Sequence, residues 1–139
     1  MGKAKRWLIL LLRIDAVVML SAIGSAIMPF SWMNATHEAM GLGELTWQPV
    51  VEYLARSASL LYVLVGALQL FISFDVRKYM GFIKFLMVMR FLIGLLLIWV
   101  DWKSDMPLYW TLSEGIAWLV LSGVLLWLCA RTEIAGDKI

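Results

Sequence analysis

Five ionisable residues, Asp15, Glu52, Arg56, Arg90 and Glu114, interrupt stretches of the chain that are otherwise almost wholly apolar. Inside a membrane such a group costs about 2.5 to 3.5 kcal/mol even on the lenient insertion scale, so each is expected to face other helices and find a partner there. Counting inward from the segment ends puts Glu52, Arg56 and Glu114 in the outer half, Arg90 near the middle and Asp15 in the inner half. Opposite charges then alternate. This predicts Arg56 between Glu52 and Glu114, with Arg90 reaching either Glu114 or Asp15; Glu52 and Arg56 have the i,i+4 spacing that pairs within one helix. The network could simply fix register among helices, as buried ion pairs can. Alternatively, it could line an outward-opening cavity that binds a polar head group, a proton or a quinone-like ring.

Other chemistry is poorly provided for. His37 is the only histidine, which excludes a bis-histidine haem or a multi-histidine metal centre within the chain, and it is expected on an exposed loop. Cys129 is the only cysteine, so an internal disulfide, a CxxC pair and a four-ligand zinc site are excluded; it reads as a small apolar residue near a helix end. Nine methionines, among them Met80, Met87 and Met89, fit adaptable packing better than copper binding. No glycine-rich phosphate loop, GxSxG elbow or HExxH pair occurs. No catalytic residue and no metal ligand is assigned, and no cofactor is expected beyond a quinone or lipid that the charged network could hold.

The elements that must carry these charges are four long apolar runs, at 7–28, 49–74, 79–100 and 107–130. Each has roughly 20 residues or more, enough at 1.5 Å per residue to cross a hydrocarbon layer about 30 Å thick. With 139 residues, 63% of them hydrophobic, and a mean hydropathy of +0.85, the chain has room for one four-helix transmembrane domain over 1–139 and nothing besides. Lys3, Lys5 and Arg6 ahead of the first run imitate a signal peptide, but Arg13 and Asp15 interrupt it and hydrophobicity resumes for a full span, so this helix is expected to be retained. In the second helix Glu52, Arg56, Ser59, Val63, Gly66 and Ser73 fall on one stripe, matched in the third by Met87, Arg90, Gly94, Leu97 and Asp101. Ser21, Ala22, Ser25 and Ala26 form a close-packing patch on the first.

Punctuation supports these bounds. Pro29 is expected to end the first helix, and Pro49 and Pro107 to sit in the first turns of the second and fourth. The short link Asp75-Val76-Arg77-Lys78 makes the second and third helices antiparallel neighbours. In the first loop Asn34 is expected to cap a short interfacial helix that Gly41 terminates, and Asn34-Ala35-Thr36 also matches the short and common N-glycosylation pattern.

Orientation follows from charge. Lys3, Lys5, Arg6, Arg77, Lys78, Lys84, Arg131 and Lys138 flank one side of the runs, while 29–48 holds no Lys or Arg and the third turn holds only Lys103. By the positive-inside rule both termini face the cytoplasm. Trp32, Trp47, Tyr53, Trp99, Trp102, Tyr109 and Trp110 gather at the outer interface, and Trp7, Tyr79 and Trp127 at the inner one. A net charge of +2, with its basic residues at helix ends, gives no indication of nucleic acid.

The stretch Arg56-Ser57-Ala58-Ser59-Leu60-Leu61-Tyr62-Val63-Leu64-Val65-Gly66-Ala67-Leu68, followed by Arg90 through Gly94, resembles the small bacterial DoxX-like membrane proteins, as do the four spans and cytoplasmic termini. The likeness covers the last two thirds of the chain. It implies an integral protein of the bacterial cytoplasmic (inner) membrane that is non-catalytic by itself. Such a protein would act as partner subunit of a membrane complex that passes electrons toward quinone, or bind a lipid-like molecule. Two other classes remain open. In a proton-coupled small-molecule transporter Asp15 would be the proton and cation site, although the strong charge bias and the long outer loop count against it. A purely structural subunit, in a larger complex or a homo-oligomer, would suit the many outer tryptophans.

Overall fold

The computed structural model describes residues 2–136, and all regular structure among them is helical. The chain runs through α1 (Lys3–Leu20), α2 (Ile23–Ile27), α3 (Phe30–Ala39), α4 (Pro49–Ile72), α5 (Met80–Lys103) and α6 (Leu108–Thr111), then a π-helical turn (Leu112–Ile116) and α7 (Ala117–Gly136). Four helical stretches are long and apolar enough to span a membrane: Lys3–Ile27, Pro49–Ile72, Met80–Lys103 and Leu108–Ile134. The chain is therefore a membrane protein of all-helical class. Lys138, counted above among the flanking basic residues, lies outside the described residues.

The first span is broken, where the sequence suggests one helix over 7–28. The Ser21 hydroxyl donates to Val18 O at 2.6 Å, and the Ala22 N–H reaches back three residues to Met19 O. The ladder tightens there and α2 restarts at Ile23, so the small-residue patch that permits close packing also interrupts the helix. Met28 then turns extended (ψ 153°), as the residue before a proline must.

The first loop also differs from expectation at its start. α3 begins directly after Pro29, four residues before Asn34, which lies inside the helix and does not cap it. Gly41 closes the helix as expected. At φ 74° its N–H bonds Glu38 O and the following Leu42 N–H bonds His37 O, the paired reverse bonds of a Schellman motif. His37 consequently stands in the last turn of α3, half-buried, with Nδ1 2.9 Å from Gly43 O.

Two compact units emerge. One comprises residues up to Leu12 together with those from Ile72 onward, and the other is Arg13–Phe71. The first has an apolar core of Leu8, Leu12, Ile72, Val76, Met80, Ile83, Met87, Leu125, Leu128 and Cys129. The buried face of α5 runs through Met80, Ile83, Met87, Arg90, Gly94 and Asp101 at helical spacing. Lys84 of α5 meets Glu133 near the end of α7, while Arg90 meets Trp118 and Gly94 meets Leu119 near its start, so the later part of α5 lies against the earlier part of α7. The widened turn before α7 replaces the continuous helix expected over 107–130. It brings Gly115 so close to α5 that an added Cβ would lie 2.6 Å from Ile98 Cγ1.

In the second unit Asp15, Ala16 and Met19 of α1 and Gly66 and Gln69 of α4 are buried. A Cβ on Gly66 would lie 2.8 Å from Met19 Cβ and 2.9 Å from both Ala16 O and Leu20 N, so these backbones touch directly. Lipid is as apolar as these side chains. Close approach of backbones and polar contacts, not exclusion of water, therefore hold the helices together.

Candidate functional site

The charged groups of the spans divide between the units, Asp15, Glu52 and Arg56 in one and Arg90 and Glu114 in the other. In the first group, Arg56 Nε and Nη2 both donate to Glu52 Oε1, at 3.0 and 2.7 Å. The other carboxylate oxygen, Oε2, accepts from Trp47 Nε1 at 3.0 Å. The third arm of the guanidinium, Nη1, donates to Ala26 O at 2.6 Å, tying α4 to the end of α2. The i,i+4 pair expected from spacing is thus present and extended at both ends, by an indole and by a backbone carbonyl. Its side chains are 29% and 30% exposed, which leaves an edge of the pair open.

Asp15 lies deeper. Its Oδ2 accepts from Gln69 Nε2 at 2.5 Å, and both residues are buried. Gln69 carries no charge and goes unremarked in a search for charges, yet it stands three residues after Gly66 and four before Ser73, on the polar stripe of α4.

In the other unit the Arg90 guanidinium lies over the Trp118 ring, 4.7 Å from its centre, in a largely buried position where a cation–π contact replaces water. Glu114 sits within the π-helical turn and accepts from Trp110 Nε1 at 2.9 Å. π-Helical turns are frequent at functional sites because they re-aim side chains. At the end of α5 Asp101 is buried, and its Oδ2 has no hydrogen-bond partner among the described residues; the same holds for Ser122 Oγ on α7.

The tryptophan partners are not assigned from sequence, where Trp47 and Trp110 count only as interface aromatics. The partners stand beside three of the five charges, Glu52, Glu114 and Arg90. Among the described residues no group of three or more His, Cys, Asp or Glu side chains could hold a metal ion. A groove of about 190 Å³ in the second group's unit is lined by Val88, Phe91, Leu92, Gly123 and Leu126, all apolar, so it suits a hydrocarbon chain and not a charged substrate.

The Arg56 cluster supports a direct comparison. Arg56→Leu is expected to lower the melting temperature more than Lys103→Leu, because it removes three hydrogen bonds, one of them to another helix, and leaves Glu52 without its cation. Lys103 is exposed, with its ammonium 5.5 Å from the Trp102 ring, and a surface charge contributes about 1 kcal/mol or less. Equal melting temperatures in detergent would show that the Arg56 contacts contribute nothing. Comparison with protein-family models, curated proteins and solved structures found no match to this chain.

Proposed function

We propose that this chain is a non-catalytic integral membrane protein of the DoxX-like type, working as partner subunit of a quinone-linked or other membrane complex or holding a lipid-like molecule. The observation that carries the reading is how little of each span the chain buries by itself. Only 17% of the most apolar window of Pro49–Ile72 is buried and no more than 28% of any of the four, while polar groups such as Glu52, Arg56 and Asp15 are engaged by other side chains of the chain. Most of the apolar surface is left for lipid or for another membrane protein.

In this reading the four spans form an antiparallel up-down bundle in a bacterial inner membrane, with both termini cytoplasmic and α3 lying in the outer interface. The exposed Trp32, Trp47, Tyr53 and Trp102 support that outer level. Topology reporters at both termini and between Val76 and Lys78 are expected to read cytoplasmic, and one placed within 35–43 external. An external N-terminus would remove the arrangement.

The function itself is tested by purification in mild detergent and mass spectrometry of the proteins and lipids that travel with the chain. A stoichiometric membrane-protein partner or retained lipid or quinone is the expected result. A bare monomer that exchanges all its lipid freely would overturn it.

A further inference from the structure

The end of the first unit at which α1 begins and α7 finishes carries a concentration of cations, several of them without an ion pair among the described residues. The packed core residues Val76, Met80, Leu128 and Cys129 bring the α4–α5 turn and the last turns of α7 together. Around them, Lys84 is engaged with Glu133 at 2.5 Å, but among the described residues Arg77, Lys78 and Arg131 form no ion pair. All three are exposed. Lys78 and Arg131 are instead set over aromatic faces, the ammonium 5.3 Å from the Tyr79 ring centre and the guanidinium 5.2 Å from that of Trp127. A ring face fixes one side of a cation and leaves its remaining N–H groups free, and tyrosine and tryptophan are the side chains that settle at the head-group level of a bilayer. The carboxylate nearest in the turn, Asp75, accepts from the Lys78 backbone N–H at 3.2 Å and so is turned toward the main chain.

We infer that Arg77, Lys78 and Arg131, placed by Tyr79 and Trp127, form a binding surface for the phosphate groups of anionic phospholipid at this end of the bundle. The proposal uses none of the charges assigned above to the spans and stands whether or not those charges have a role. An arginine presents a planar fork of donors to phosphate and a lysine a compact charge, so two arginines and a lysine suit an anionic head group held at more than one point. Each such cation near an anionic surface strengthens binding about fivefold, which makes the three together worth on the order of 100-fold.

The test uses the full chain and two probes, phosphatidylglycerol and phosphatidylcholine. Native mass spectrometry after exchange into each is expected to show selective retention of phosphatidylglycerol. The selectivity should fall steeply with added salt and be lost in the Arg77→Gln/Lys78→Gln/Arg131→Gln variant, while Lys103→Gln keeps it. Should the triple variant fold poorly, the salt dependence of the unaltered chain and the behaviour of Arg131→Lys, which keeps the charge, decide the matter. Equal retention of the two lipids by the unaltered chain would overturn the inference and leave the surface to an acidic protein segment. So would full selectivity in a folded triple variant.

Discussion

Gly66→Ala is expected to destabilise the protein by about 1–3 kcal/mol, although alanine is the better helix former, whereas Gly81→Ala is expected to be neutral or to stabilise by up to about 1 kcal/mol. The two glycines lie inside long apolar helices and differ in what an added methyl would meet. At Gly66 it would stand 2.8 Å from Met19 Cβ and 2.9 Å from Ala16 O and Leu20 N. Two of those atoms are backbone, so α1 and α4 must separate to admit it. Gly81, on the exposed side of α5, has nothing within 4 Å of the same position. Gly123 on α7 is equally open and serves as a second control. Because close approach replaces the hydrophobic effect as the force between helices in lipid, the loss at Gly66 falls on the contact that holds this unit together. Unfolding free energies of the three variants in one detergent decide the point. A Gly66→Ala protein as stable as Gly81→Ala would mean that the backbones do not touch there.

What was legible in the sequence is what depends on short range. Length and apolarity located the four spans, and the i,i+4 spacing located the Glu52–Arg56 pair, because each property is fixed within one helix. The stripe on α4 was legible for the same reason, with Gly66 and Ser73 buried and Glu52, Arg56, Ser59 and Val63 half-buried on it. Hidden features depended on distant residues or on competition between nearly equal local structures. Gln69 meets Asp15 across 54 positions, and only packing could select it over other polar groups on the same face. The break at Ser21 required the hydroxyl to bond Val18 O in preference to leaving the helix undisturbed. The π-helical turn at Leu112–Ile116 has no composition of its own; it coincides with the place where Gly115 comes against Ile98. Asn34 was read as a cap because its residue type favours that role. In the fold its amide instead donates to Glu38 Oε1 at 2.8 Å and its oxygen accepts from the Leu45 N–H at 2.6 Å, fastening the loop to α3.

Gln69→Leu and Asp15→Leu are each expected to cost about 1–3 kcal/mol, since either leaves a buried polar group without the partner it has at 2.5 Å. The double variant should recover part of the sum, because the donor and the acceptor of this bond are then removed together, and the coupling read from the cycle should be about 0.6 to 1.7 kcal/mol, the average and the maximum for hydrogen bonds between membrane helices. Zero coupling would show that the pair is not formed. Asp15→Asn asks a separate question, for it keeps an oxygen that can accept from Gln69 Nε2 while removing the group that binds a proton. Under the proposed role as subunit or lipid holder, the Asn variant should retain its fold, its co-purifying partner and its lipid content. Under the rival reading of a proton-coupled transporter, the same well-folded variant should lose proton-linked efflux altogether, since a coupling site must titrate and an amide cannot. Stability, partner content and efflux measured on one preparation therefore separate the two. Loss of efflux in a variant that still melts like the original would assign Asp15 to coupling and Gln69 to holding it in place, and the subunit reading would give way to transport.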